Sequence, residues 1–266
     1  MKLRQIGCMV SGLFLAASLA ACGGGAAEDS STSNAGGDTG AVTYRIVTDT
    51  AFAPFEFAEA DNTYVGIDID LLAAIADDQG FEYELSPVGF EAALQNVQSG
   101  QADGIIAGMS INEERKEVFD FSAPYYDSTV CAAAAADGEI SSLNDLKGMN
   151  VAVKNGTVSQ SWAESIADEY GFTMTVFDTS DVMYQDVLAG NSAVCFEDTP
   201  VMSYAINTGS VPLKIVAEVD TNSEFATPYG FAVNKGENAE LREMFDEGLA
   251  NIKENGIYDE IISKYV

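Results

Sequence analysis

The chemistry open to this chain narrows at once, because its 266 residues include no histidine. Ser-His-Asp catalysis, His-Cys catalysis and the usual zinc sites are thereby excluded. Carboxylates, amines, a guanidinium and aromatic rings remain. Arg115 carries a planar fork that matches a carboxylate through two parallel charge-assisted hydrogen bonds, which lysine cannot reproduce. A ligand offers such a group, and so do the neighbouring Glu113 and Asp120. Asp198, within Phe196-Glu197-Asp198-Thr199-Pro200, suits a cationic partner or the cap of a helix starting near Pro200. Phe52 and Phe90 have rings fit for a ligand or for a core.

These side chains act together only if the fold gathers them. Tyr44 to Asp49 reads as a buried strand, followed by a loop from Thr50 to Glu56 with Pro54 in it. Ile67, Leu71, Leu72, Ile75 and Ala76 recur at helical spacing, and Phe81 to Leu85 alternates as a strand does. A helix from Glu91 to Ser99 closed by Gly100 and a short strand from Ala102 to Ala107 follow. The rhythm restarts near Ser128, with strands at Asn150 to Val153, Met174 to Phe177 and Ala193 to Phe196, and helices at Val158 to Tyr170 and Asp181 to Leu188. Alternation of this kind predicts parallel strands with crossover helices, and its repetition predicts two α/β lobes. Ligands of open parallel sheets sit beyond the carboxyl ends of the strands. That rule selects Asp49, Phe52, Phe90, Gly108, Ser110, Lys154 to Thr157 and Glu197 to Thr199, which converge on one cleft if the lobes face each other.

The formal charge of −30 excludes nucleic acid as a partner and implies a well-solvated surface. Lys2 and Arg4, the apolar run Ile6 to Leu19 and the small residues before Cys22 read as a secretion signal over residues 1–21. Leu19-Ala20-Ala21-Cys22 resembles the bacterial lipobox, which implies cleavage before Cys22 and a lipid on its thiol. Residues 22–41, rich in Gly, Ala, Ser, Thr, Asn and Asp, then form a flexible tether. Cys8 leaves with the signal; Cys131 and Cys195, both in apolar strand-like stretches, form either a disulfide or two separately buried thiols.

Three segments together resemble the bacterial polar amino-acid-binding proteins, the extracellular solute-binding family 3 of ABC importers, and within it the glutamine-binding type. They are Thr48-Asp49-Thr50-Ala51-Phe52-Ala53-Pro54-Phe55-Glu56-Phe57, Gly66-Ile67-Asp68-Ile69-Asp70-Leu71, and Glu113-Glu114-Arg115-Lys116 followed by Phe119-Asp120-Phe121-Ser122 and Pro124-Tyr125-Tyr126. The resemblance implies the type II periplasmic-binding-protein fold, two α/β lobes joined by a two-strand hinge. Lobe one would comprise residues 42–126 and 228–266, lobe two residues 129–225, with hinge pieces near Asp127-Ser128 and Thr227-Pro228.

It also implies roles. Arg115 would bind the α-carboxylate of an amino acid and Asp198 its α-ammonium, with Gly108 and Ser110 adding a carbonyl and a hydroxyl. Phe52 and Phe90 would sandwich the aliphatic stem, and Phe55 and Phe57 would stay in the core. Thr157 and Val158 fall in the turn into the second lobe's first helix, and Val158 replaces a glycine usual there. Asp49 would repel a glutamate side chain and Lys154 a lysine or arginine, so a carboxamide satisfies both and glutamine is favoured. Glu197 replaces a histidine of the glutamine-binding type, and its extra carboxylate would suit a cationic ligand. No cofactor and no metal are expected; the partners expected are a permease, the membrane through Cys22, and no second copy of the chain. The competing expectation is a secreted arogenate or prephenate dehydratase on the same fold, in which Glu197 would supply the general acid.

Overall fold

A computed structural model describes residues 42–266. The expected signal, Cys22 and the tether of residues 22–41 lie outside the described residues.

The first half builds one sheet and its helices. β1 (Thr43–Thr48) leads to a small antiparallel sheet of β2 (Ala51–Phe52), β3 (Glu56–Ala58) and β4 (Tyr64–Val65), then to α1 (Ile67–Gln79). β5 (Glu82–Pro87), α2 (Phe90–Gln98), β6 (Gly104–Ile105), α3 (Glu113–Lys116) and β7 (Phe119–Phe121) follow. α1 turns Ile67, Leu71, Leu72, Ile75 and Ala76 inward, as their spacing requires, and stops at Gly80 in the left-handed conformation. Its start depends on Gly66, whose φ of 135° and lack of a side chain let the backbone pass against Phe55. A Cβ there would lie 2.1 Å from the Phe55 carbonyl oxygen. Gly66→Ala is therefore expected to cost about 2 to 3 kcal/mol, read as a lower denaturant midpoint at unchanged slope.

The second half repeats the plan. β8 (Val130–Ala135), β9 (Asn150–Lys154), α4 (Val158–Tyr170), β10 (Thr173–Phe177), α5 (Ser180–Leu188), β11 (Val194–Asp198), α6 (Thr199–Asn207) and β12 (Leu213–Glu218) come in order. The chain then adds β13 (Ala232–Asn234), α7 (Ala239–Glu254) and α8 (Ile257–Tyr265) to the first half. The two large sheets run β5-β1-β6-β13-β7 and β10-β9-β11-β8-β12. β5, β1 and β6 are mutually parallel, as are β10, β9 and β11, whereas β13, β7, β8 and β12 are antiparallel to their neighbours. The strands alternating with helices are thus parallel, as their rhythm implies, and the antiparallel members lie outside that rhythm. The antiparallel members flank the stretches where the chain passes between sheets, and they need no crossover helix. The expected strand from Ala102 to Ala107 also shrinks to Gly104 and Ile105, since the following residues bend away into the cleft.

The cores explain why both halves hold. Ile46, Phe55, Leu72, Ile75, Phe231 and Phe245 meet in the first, where the Phe231 and Phe245 rings stack at 4.6 Å. α7 thus closes a core that the N-terminal strands begin. Phe57, expected in that core, is only half-buried. In the second half β8 lies between β11 and β12, and its run of alanines is buried on both faces. Val130, Ala132, Val153, Trp162 and Phe196 pack on one face, and Ala133, Ala152, Met183, Val187 and Cys195 on the other. Cys131 and Cys195 are both free and buried, which resolves the alternatives in favour of separate thiols. Register explains it: Cys131 pairs with Glu197 and Cys195 with Ala133, so neither stands opposite the other.

Candidate functional site

Strand ends and helix starts supply nearly every polar group of the cleft. β1 ends just before Asp49, and β9 ends in Lys154. Both are about 1 % exposed, and the Lys154 ammonium pairs with Asp49 Oδ2 across the gap between the two sheets. Asp49 Oδ1 is held by the Thr50 amide at 2.6 Å. The ammonium also lies 4.6 Å from the centre of the Phe52 ring and 5.8 Å from that of Phe90. Burial works to strip the proton from Lys154, but Asp49, Glu197 and Glu56 outweigh it and the net shift is upward. Lys154 is a cation here.

Arg115 sits in the single turn of α3, where Asn112 caps the helix by accepting from the Arg115 amide at 2.8 Å. Its guanidinium makes no ion pair with Glu113 or Asp120, which are taken by Lys116 and Lys235. Instead Nη1 donates to the Ser110 carbonyl at 2.9 Å, and Nη2 reaches the Gly156 carbonyl in the second half at 2.8 Å. The Phe90 ring lies 5.2 Å from its Cζ. Although the side chain keeps some solvent exposure, crowding by protein pushes its pKa down to about 10 against the pull of Asp198, so the charge persists. Among the described residues its hydrogen bonds go to neutral carbonyls, and no direct ionic partner compensates that charge. An anion is the natural occupant.

Opposite charge comes from the end of β11. Asp198 stands at the start of α6 yet its side chain makes no cap bond, which removes the helix-capping alternative. Its Oδ2 accepts from the Tyr229 hydroxyl, and Ser128 Oγ donates to that same hydroxyl at 3.0 Å. Burial first, and Glu197 second, raise its pKa to about 7, with Tyr229, Arg115 and Lys154 opposing. A cation placed beside it would restore the carboxylate. Tyr229 lies in a stretch with no periodic signal and so is not legible as a site residue; its neighbour Pro228, at the expected hinge, is the available clue.

Glu197 is fully buried, but its oxygens are engaged by the Tyr184 hydroxyl at 2.8 Å and the Asp198 amide at 2.9 Å. Thr157 caps α4 by accepting from the Gln160 amide at 3.2 Å, and its hydroxyl donates to the Lys154 carbonyl at 2.8 Å. The Val158 side chain joins the second core, while its amide, in the first turn of α4, has no intrahelical acceptor. Gly108 has φ +52°, and a Cβ there would come within 2.4 Å of the Phe52 ring. Ser110 is 4 % exposed.

The structure therefore gathers Phe52, Phe90, Gly108, Ser110, Arg115, Lys154, Thr157, Val158 and Asp198 around one cavity, with Ala107 added. Asp49 reaches it only through Lys154, and Glu197 stands behind its wall. The void is only about 10 Å³, room for roughly one water, so the two halves must part before a larger molecule enters. A cation at one end, an anion at the other and aromatic faces between them suit a small zwitterion. Among the described residues, no cluster of His, Cys, Asp and Glu is placed to hold a metal ion.

The family model of the bacterial extracellular solute-binding proteins, family 3, matches residues 44–266. The chain belongs to this family. Among solved solute-binding proteins, substrate-binding domain 2 of GlnP from Lactococcus lactis, in open conformation, is 44 % identical over 84 % of this chain and 95 % of its own, with a TM-score of 0.57. An ancestral arginine-binding protein bound to arginine is 36 % identical over 84 % of this chain and 97 % of its own, with a TM-score of 0.75. The arginine-binding extracellular protein ArtP of Bacillus subtilis is 28 % identical over 93 % of this chain and 92 % of its own. The architecture is that of the type II periplasmic amino-acid-binding proteins, as the motifs implied.

Proposed function

We propose that this solute-binding protein captures a neutral polar amino acid, glutamine first, between two closing lobes and delivers it to an ABC permease. The lobes are residues 42–126 with 228–266, and 129–225. The chain works as a monomer outside the cytoplasm, held to the membrane by lipid on Cys22. The observation that carries this reading is the placement of Arg115 and Asp198, from opposite halves, on one cavity beside Phe52 and Phe90. Arg115 and the first amides of α4 receive the α-carboxylate, and Asp198 receives the α-ammonium. Because each half holds one end of the ligand, binding favours the closed form.

Ligand choice turns on the Lys154–Asp49 pair. Its two charges cancel inside the protein, so a carboxamide adds hydrogen bonds without adding charge, whereas a guanidinium must compete with Lys154 for Asp49. A free Glu197 carboxylate would suit a cationic ligand or an acid catalyst. Its two oxygens are already hydrogen-bonded and it does not line the cavity, which favours binding over dehydration and a neutral ligand over a cationic one.

A thermal-shift series tests the choice, since a ligand bound only by the folded state raises its melting temperature. Glutamine is expected to raise it most, with glutamate and arginine producing little change. A larger shift with arginine would overturn the glutamine assignment. No shift with any amino acid, together with turnover of arogenate, would replace binding by catalysis.

A further inference from the structure

Beneath the Gly108 turn lies a pair of acids that the binding roles above leave unused. Glu56 opens β3 and Asp68 sits in the first turn of α1, and both are wholly buried. Asp68 Oδ2 accepts from the Gly108 amide at 2.7 Å and from the Tyr125 hydroxyl at 2.9 Å. Asp68 Oδ1 and both oxygens of Glu56 have no hydrogen-bond partner of full geometry among the described residues, yet the two carboxyls stand close enough to perturb each other's proton. Asp49 from the loop after β1, Lys154 from β9 and the Tyr125 hydroxyl complete the titratable surroundings.

Two carboxylates cannot both ionise side by side in so dry a place without a large penalty. One proton removes the repulsion and turns an orphaned oxygen into a donor. Burial first, then Asp68 and Asp49, push Glu56 well above the usual carboxylate range against the opposing effect of Lys154. Asp68 rises only to about 6, because the Gly108 amide and the Tyr125 hydroxyl stabilise its anion against burial. The proton therefore belongs on Glu56.

We propose that Glu56 is a positioning residue: as a neutral acid it donates to Asp68, which in turn holds the Gly108 turn in its ligand-facing conformation. The inference rests on the amino-acid-binding reading. Gly108 depends on this support, because its φ of +52° and its packing against Phe52 leave the turn no side chain of its own to anchor it. When the proton leaves, Asp68 faces a second anion and its bond to the Gly108 amide gives way. Binding requires the proton, so affinity falls as pH rises through the folded pKa of Glu56.

Two measurements test this on the ligand-free and ligand-bound protein. Infrared difference spectra, ligand-free wild type minus Glu56→Gln near neutral pH, are expected to show a protonated-carboxyl C=O band over and above the one that Asp198, with its pKa of about 7, gives in both proteins. Calorimetric titration with glutamine from pH 6 to the highest pH at which the protein stays folded is expected to show wild type losing about tenfold more affinity than Glu56→Gln, whose amide keeps a permanent donor. Glu56→Ala, lacking any donor, is expected to bind weakly at every pH, so the amide rescues what the methyl does not. Parallel pH profiles for wild type and Glu56→Gln, or a band unchanged by Glu56→Gln, would overturn the inference. A wild-type protein silent towards every amino acid would instead sink the functional reading, and the infrared band would still report the buried proton.

Discussion

Arg115→Ala is expected to weaken amino-acid binding roughly a thousandfold while leaving the fold intact, because it removes a half-buried charge-assisted fork and strands the ligand carboxylate. The fold should survive. Arg115 is in a one-turn helix outside both cores, and among the described residues its side chain bonds only to the Ser110 and Gly156 carbonyls. Those oxygens can turn to water when the halves part. Arg115→Lys should recover only a fraction of the affinity, since an ammonium cannot make two parallel bonds to one carboxylate. Calorimetry gives the affinity, and circular dichroism with a melting curve gives the fold. Near-wild-type affinity in the alanine variant would remove Arg115 from the site.

The second large effect is expected at the other end of the ligand. Asp198→Asn should cost about a hundredfold in affinity near neutral pH, because an amide cannot neutralise the α-ammonium in a buried cleft. The same substitution should change how protons accompany binding. In the free closed protein Asp198 has a pKa of about 7, raised chiefly by burial, and a bound ammonium lowers it again. At pH 6, wild type should therefore release most of one proton on binding, and its affinity should weaken further as pH falls. Asp198→Asn should release none. Titration in buffers of different ionisation enthalpy separates the two. The stability effect has the opposite sense. A carboxyl whose folded pKa is raised costs stability as pH climbs from its unfolded value near 4 to about 7, so ligand-free Asp198→Asn should be no less stable than wild type at neutral pH.

Local periodicity made the first strand, α1, α2 and the β9-to-β11 run legible, because each has a window of buried positions long enough to show its period. β7 and β13 have only three residues each and offer no such window. The antiparallel direction of β8 was hidden for another reason, since a buried apolar run with no crossover helix beside it reads the same whether its neighbour is parallel or antiparallel. The site divides in the same way. Strand ends and motifs located Asp49, Lys154, Arg115 and Asp198, but the chain gives no sign that residues 105 apart, Asp49 and Lys154, form one ion pair. Tyr184, which engages Glu197, and Tyr229, which engages Asp198, carry no sequence signal either. A tyrosine hydroxyl aimed at a buried carboxylate leaves the same pattern as a tyrosine packed in a core. The acids Glu56 and Asp68 lay inside recognised motifs, yet only burial exposed their shared problem.

The most direct measurement is a calorimetric titration of the protein with L-glutamine at neutral pH. One-to-one saturable binding, lost when the α-carboxylate or the α-ammonium of the ligand is removed, is the expected result. No heat of binding from glutamine or from any other amino acid would contradict the assignment of this cleft to an amino-acid zwitterion.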